Sequence, residues 1–144
     1  MKPTPHTAAV LGLCAALFAC ATACTAEDTA KPDKVGAAET LPTDTDKKES
    51  RKQAEDFRSW VKEHGTTQEK AAVVRVERII GEWDEHTGNA YVSTDINGGK
   101  TEVKDPQAAA DAIVEAFGGW KDSDQGFVSV YDVFGNAMVT NKKF

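Results

Sequence analysis

The chain has 144 residues, of which 28% are charged and 40% hydrophobic, and its formal net charge at pH 7 is −6. This length allows one ordinary domain. The acidic balance argues against binding to nucleic acid, because binding to phosphates needs clustered Lys and Arg. It also argues against charge-driven docking on anionic lipid.

The first 23 residues have the pattern of an export signal. After MKPTPH, the run from Thr7 to Ala23 carries no charged side chain over 17 residues. A membrane-spanning helix needs about 20 apolar residues, and the acidic pair Glu27 and Asp28 follows where a stop-transfer segment would be basic. We therefore predict a cleaved lipoprotein signal peptide over 1–23. A short buried helix and an ordinary secretory signal are the alternatives.

The cysteines at the end of this run are candidates for lipidation. Cys20 has Leu17 three residues before it, as in bacterial lipoprotein signals, whereas Cys24 follows small residues only. Lipidation of Cys20 would leave Cys24 as an unpaired thiol outside the cytoplasm. We therefore predict lipidation of Cys24, with Cys20 as the alternative. Two acyl chains would hold the protein durably on the outer face of the cell membrane.

Residues 24–49 form the predicted lipidated cysteine and flexible tether. Val35 and Leu41 are its only large apolar side chains, so the segment buries too little surface to offset the entropy of ordering. The folded domain is predicted over 50–144. It contains no cysteine, which excludes a disulfide framework, a Cys zinc site and a thiol nucleophile.

The first half of the domain has two predicted helices followed by a strand. Apolar residues at helical spacing predict a helix over Glu49–His64, capped by Gly65. Thr66 and Glu69 form a capping box that begins a second helix. The β-branched residues that follow favour a change to a strand, Val76–Asp84, after a helix that ends near Arg75. The competing interpretation continues the helix to Ile80 and ends it at Gly81.

The second half alternates between strands and one helix. Asp105 and Pro106 are a typical cap and first residue of a helix, and apolar spacing carries that helix towards Trp120. The predicted strands of this half are Ala90–Ile96, Phe127–Val133 and Ala137–Asn141.

These elements predict an α+β fold, a small domain with a roughly four-stranded antiparallel sheet and helices on one face. Gly88–Ser93 resembles Gly135–Thr140, and each segment follows a helix and a candidate strand. This similarity favours two α-β-β units. Chance similarity in turn residues is the alternative explanation.

Catalytic, cofactor and metal motifs are absent from the sequence, so we predict no catalytic residue, no cofactor and no metal site. The nearest candidate is the segment with Glu82, Asp84, Glu85 and His86. Its carboxylates and imidazole have the chemistry of a hydrolase-like acid/base pair or a divalent cation site. Charged side chains at a hairpin tip are more often simply solvated, which is the interpretation we adopt.

A partner surface is predicted on the strands. If helices cover only one face of the sheet, apolar strand residues on the other face remain exposed and mark a binding surface. The candidate residues are Trp83, Tyr91, Val92, Val128 and Val130.

Four sequence pieces resemble a group of small, uncharacterised actinobacterial lipoproteins. The pieces are WVKEHGTTQEKAAV, YVSTD, AFGGWK and VSVYDVFGN. The resemblance implies an exported, membrane-tethered domain and supplies no catalytic residues. We expect a non-enzymatic binding or accessory module, with a protein partner in the cell envelope and an unassigned ligand and oligomeric state. The alternative is an inhibitor or immunity protein that binds a secreted enzyme through an exposed sheet face.

Overall fold

A computed structural model describes residues 40–144. The predicted signal peptide, Cys20, Cys24 and the first part of the predicted tether lie outside the described residues. Within the described part, no helix has both the length and the hydropathy to cross a membrane. The elements are α1 (Lys47–His64), α2 (Thr67–Val73), β1 (Val76–Ile80), β2 (Thr87–Thr94), α3 (Pro106–Trp120), β3 (Gln125–Tyr131) and β4 (Ala137–Lys143).

The predicted helix caps are confirmed. The Thr66 side chain accepts from the backbone N–H of Glu69, and the Glu69 carboxylate accepts from that of Thr66. Gly65 ends α1 and donates its N–H to the carbonyl of Val61. At the start of α3, the Asp105 side chain accepts from the N–H of Ala108. These caps satisfy backbone groups that a helix end leaves unpaired.

The change from helix to strand is confirmed at Val76. α2 ends at Val73, and β1 begins at Val76, so the interpretation with helix up to Ile80 is wrong. β1 ends at Ile80, before the predicted Asp84, because Gly81 turns the chain at a φ of 112° that glycine tolerates.

The four strands lie in the order β1-β2-β3-β4. The α+β class and the strand number are confirmed, but the predicted antiparallel pairing is wrong at the centre of the sheet. β2 and β3 are parallel, with Ala90 beside Val128 and Val92 beside Val130. The outer pairs are antiparallel. The parallel pairing follows from the connection between the two strands. Because α3 returns the chain to the end of the sheet where β2 begins, β3 starts there and runs in the same direction. The order of elements nevertheless follows two α-β-β units, α2-β1-β2 and α3-β3-β4.

The hydrophobic core lies between the three helices and one face of the sheet. Phe57 of α1 and Phe117 of α3 are fully buried, with their ring centroids 5.5 Å apart. The sheet supplies the other wall of this core through Val76, Ile79, Ala90, Val92, Val128, Val130 and Val139.

Residues 40–46, which we call the N-terminal strap, lie on the domain. The N–H of Leu41 donates to the carbonyl of Gly135 at 3.0 Å, and the Asp44 carboxylate accepts from Arg78. The strap therefore runs from the turn between β3 and β4 to β1. Tyr131 lies at this end of the sheet and is buried on the face opposite the core. The domain boundary predicted at residue 50 is wrong, because 40–49 is held by these long-range contacts and by the start of α1 at Lys47.

Candidate functional site

Three of the residues predicted for a partner surface are buried. Val92, Val128 and Val130 have no exposed area and lie in the core beneath the helices. The helices cover the face of the sheet that carries these valines. Their prediction as surface residues is wrong.

Trp83 belongs to the margin of the core. Its ring meets Phe117 edge-on at a centroid distance of 5.5 Å, and it also contacts the rings of Trp120 and Phe144. The side chain is only partly buried. Its main role is therefore packing, with one edge left at the surface.

Tyr91 lies on the opposite face of the sheet and is partly exposed. Ile80 pairs with it across β1 and β2, and Phe127 lies on the same face of β3, beside Asn89. Both are partly exposed as well. We call Ile80, Tyr91 and Phe127 the open sheet patch. Of the residues predicted for a partner surface, Tyr91 belongs to this patch, whereas the buried Val92, Val128 and Val130 do not.

Residues 82–87, which we call the acidic turn, are organised by hydrogen bonds within the turn itself. The Asp84 carboxylate accepts from the backbone N–H groups of Thr87 and His86 at 2.9 and 2.8 Å. These hydrogen bonds lower the pKa of Asp84. His86 lies 3.5 Å from Glu85 and 3.6 Å from Asp124, and all three side chains are largely exposed. This arrangement stabilises a turn and keeps the imidazole in solvent.

Glu82 is exposed and lies outside this set of ion contacts. Between residues 40 and 144, no group of three or more His, Cys, Asp or Glu side chains is placed to hold a metal ion.

A concavity lies between α2, α3 and the loop that leads into α3. We call it the helix groove, and its volume is about 500 Å³. Its apolar surface comes from alanines of both helices, together with Val74 and Val103. The small side chains leave the space open, because no larger group fills the gap between the helices. The lining residues are Gln68, Ala71, Ala72, Val74, Arg75, Thr101, Glu102, Val103, Lys104, Asp105, Ala108 and Ala109.

Arg75 fixes one wall of the helix groove. Its Nε lies 2.7 Å from Oδ1 of Asp95, and its Nη2 donates to the carbonyl of Thr101 at 2.8 Å. Gly99 packs so closely that a Cβ there would lie 2.3 Å from Arg75 Nη2. The guanidinium therefore ties the loop to the end of α2.

The chemistry of the helix groove is apolar with a charged margin. Arg75, Glu102, Lys104 and Asp105 supply ionic groups around the alanine surface. A ligand with an apolar body and a polar end suits such a site. The groove was not predicted from the sequence, where its one visible signal is the alanine runs at 71–72 and 108–110.

No family model, curated protein or solved structure matches the chain. The resemblance to small actinobacterial lipoproteins therefore stays a prediction.

Proposed function

We propose that the protein is exported, anchored by lipid on the outer face of the cell membrane, and works there as a non-enzymatic binding module. The helix groove is the observation that carries the binding role. The anchor is supported by the uncharged run Thr7–Ala23 and by the cysteine that follows it. The proposed ligand of the groove has an apolar body and a polar end.

The size and construction of the helix groove support a ligand of this class. Its volume of about 500 Å³ lies within the range of roughly 300–1,000 Å³ that is typical of small-molecule sites. Its wall is held by Arg75, Asp95 and Thr101 before any ligand arrives. A preformed wall lowers the ordering cost of binding.

Filling the helix groove tests the binding role. The amphipathic dye 8-anilinonaphthalene-1-sulfonate is the probe, and Ala108→Phe places a ring in the groove. Gln107→Phe is the matched control, because Gln107 precedes it on α3, is exposed and does not line the groove.

We expect saturable binding of the dye to the wild type and to Gln107→Phe. Ala108→Phe should bind about tenfold more weakly or worse, because the added ring occupies the apolar space. Thermal unfolding of each variant confirms that it folds. Equal affinity of all three proteins would remove the groove as the binding site.

The anchor is tested by the intact mass of the protein extracted from the membrane of its native host. Cys20→Ala and Cys24→Ala variants are measured in parallel. A chain that begins at Cys24 and carries a diacylglycerol supports the proposal, and loss of this species in Cys24→Ala assigns the cysteine. An unlipidated chain in the medium contradicts the anchor.

The open sheet patch favours a second candidate function, an inhibitor or immunity protein that binds a secreted enzyme. Ile80, Tyr91 and Phe127 offer partly exposed apolar area on a sheet face. A photo-crosslinking side chain at Tyr91 should capture a secreted enzyme on intact cells, while the same group at Val74 should not. Tyr91→Glu should then abolish inhibition of that enzyme, and full inhibition by Tyr91→Glu would reject this function.

A further inference from the structure

Three segments that meet at one end of the sheet carry no charge. They are 40–43, 96–99 and 133–137, and we call them the uncharged apex. The N–H of Leu41 donates to Gly135, and the N–H of Val133 donates to Ile96, both at 3.0 Å. In a chain with 28% charged residues, three joined segments without a charge form a distinct surface.

The uncharged apex exposes large apolar side chains. Phe134 is 74% exposed and Val133 is 41% exposed. Among the described residues, Val74 is the other large hydrophobic residue with a similar exposure, at 68%, and it lies at the helix groove. Two neighbouring exposed apolar side chains at a turn point to a contact surface.

The turn that carries Phe134 is held rigidly. One oxygen of the buried Asp132 carboxylate accepts from the backbone N–H groups of Phe134 and Asn136, both at 2.9 Å. The other oxygen accepts from the side-chain amide of Asn97 at 3.2 Å. Phe134 is therefore displayed by an ordered backbone, which lowers the entropy cost of inserting it into another phase.

The described chain begins at this same place. Thr40 forms a bridge with Asn136, two residues after Phe134. Sixteen residues lead from Cys24 to Thr40, so at about 3.5 Å per residue the apex stays within about 56 Å of the cysteine. A lipid on Cys24 would thus keep the apex within this distance of the bilayer, and the apex is the part of the described domain that the chain from the anchor reaches first.

We propose that the uncharged apex faces the membrane and that Phe134 and Val133 insert into the interfacial layer of the bilayer. This inference rests on the proposed lipid anchor. Insertion would desolvate no ionic side chain of the apex, and desolvation of charge is the largest cost of entering lipid. One aromatic side chain binds lipid weakly alone, but the anchor raises its effective concentration at the surface.

The net charge makes the proposed contact testable by salt. A chain with a net charge of −6 gains nothing from attraction to anionic lipid. The contact is therefore expected on neutral phosphatidylcholine and should persist when salt is added, since salt screens charge interactions and leaves apolar burial intact.

Tryptophan quenching tests the insertion. The chain from Cys24 onwards is coupled through that cysteine, its one thiol, to maleimide lipid in phosphatidylcholine vesicles with brominated acyl chains. Phe134→Trp adds a reporter at the apex, and Glu115→Trp is the matched control at an exposed position of α3 that lies outside the apex and does not line the helix groove. The emission of the wild type, with its 3 tryptophans, is subtracted.

We expect the brominated vesicles to quench most of the emission added by Phe134→Trp and none of that added by Glu115→Trp. Adding Val133→Asp to Phe134→Trp should remove the quenching, because the carboxylate would have to enter lipid. Equal quenching at the two positions, or no quenching at Phe134→Trp, would overturn the inference.

Because the chemical coupling replaces native acylation, the test of membrane insertion by the apex is independent of the test of the native lipid anchor. A natively lipidated chain with no quenching at the apex removes this inference and leaves the anchor. Quenching at the apex, together with a native chain that carries no diacylglycerol, removes the anchor and supports the affinity of the apex for lipid.

Discussion

The Asp44 carboxylate lies 3.2 Å from the guanidinium of Arg78, although 34 residues separate them in sequence. The same oxygen accepts from the hydroxyl of Ser50 at 2.7 Å. One side chain thus joins the N-terminal strap to α1 and to β1. The Asp44 side chain is only 5% exposed, so this junction is shielded from water and counts in the stability of the domain.

We expect Asp44→Ala to lower the free energy of unfolding by about 1–3 kcal/mol, because it leaves two partly buried donors without their acceptor. Asp56→Ala is the matched control. Asp56 pairs with Lys52 at 2.8 Å, but both side chains are more than half exposed, and a pair so exposed contributes little to stability. Urea unfolding of the two variants measures the difference, and equal losses would contradict the structural role of the strap.

Asp132 should make the stability of the apex depend on pH. Burial opposes its charge, but hydrogen bonds from Asn136, Asn97 and Phe134 outweigh burial and lower its pKa below 3.8. The stabilisation is therefore complete above the ordinary carboxyl pKa and is lost as pH falls through the lower folded value.

Asp132→Asn tests this dependence. At neutral pH we expect a loss of about 1–3 kcal/mol, because an amide oxygen is a weaker acceptor for the backbone N–H groups. The difference in unfolding free energy between Asp132→Asn and the wild type should shrink as pH falls below the ordinary carboxyl pKa, because the wild-type carboxylate is then progressively protonated. The exposed Asp122→Asn is the control, with urea unfolding as the measurement. A gap that does not change with pH would exclude the carboxylate as its source.

Replacing Gly118 and Gly81 by alanine should change the stability of the domain in opposite directions. At Gly118 in α3, an added Cβ meets no atom within 4 Å, so Gly118→Ala should stabilise by about 0.5–1 kcal/mol. At Gly81, φ is +112° and an added Cβ would lie 2.1 Å from the Asn89 carbonyl oxygen. Gly81→Ala should destabilise by about 1–3 kcal/mol. Thermal unfolding decides, and a loss at Gly118 would contradict the open space around it.

The acidic turn should depend on Asp84 and not on His86. Asp84→Ala removes the acceptor for the N–H groups of His86 and Thr87, so hydrogen exchange at these two amides should become faster. Glu85→Ala and His86→Ala are the controls, because their side chains are largely exposed. Unchanged exchange at both amides in Asp84→Ala would show that the carboxylate does not organise the turn.

Local signals in the sequence were sufficient to predict the helices and most of the strands. The cap at Asp105 and the capping box at Thr66 and Glu69 fixed helix starts, because each needs residues only three apart. The strand start at Val76 followed from β-branched residues. The pairing of β2 with β3 was not local, because it depends on where α3 returns the chain.

The misplaced partner surface has a different physical cause. Alternation separates Val128 and Val130 from Ser129 and Tyr131, but β3 is central and both faces are buried at this end. The alternation of residues therefore predicts which side chains of β3 share a face, but it does not predict which face the helices cover. Leu41 and Asp44 were assigned to the tether because their partners, Gly135 and Arg78, are distant in sequence.

The helix groove had no sequence pattern that would identify it. The groove results from the small side chains of Ala71, Ala72, Ala108 and Ala109, which leave the space between the helices open. Alanine is equally common where helices pack tightly, so its presence alone does not predict a groove. The spacing between α2 and α3, together with the loop held by Arg75, makes these small residues the surface of a concavity.

The two outer strands limit what else the sheet could do. At β1, the guanidinium of Arg58 on α1 donates to the Val76 carbonyl, which occupies a group that an incoming strand would use. At β4, Asn141 has a φ of +50° and the exposed Lys142 and Lys143 follow it. An irregular, lysine-bearing margin resists pairing with another strand. The domain is thereby protected against edge-to-edge aggregation when many copies are crowded together.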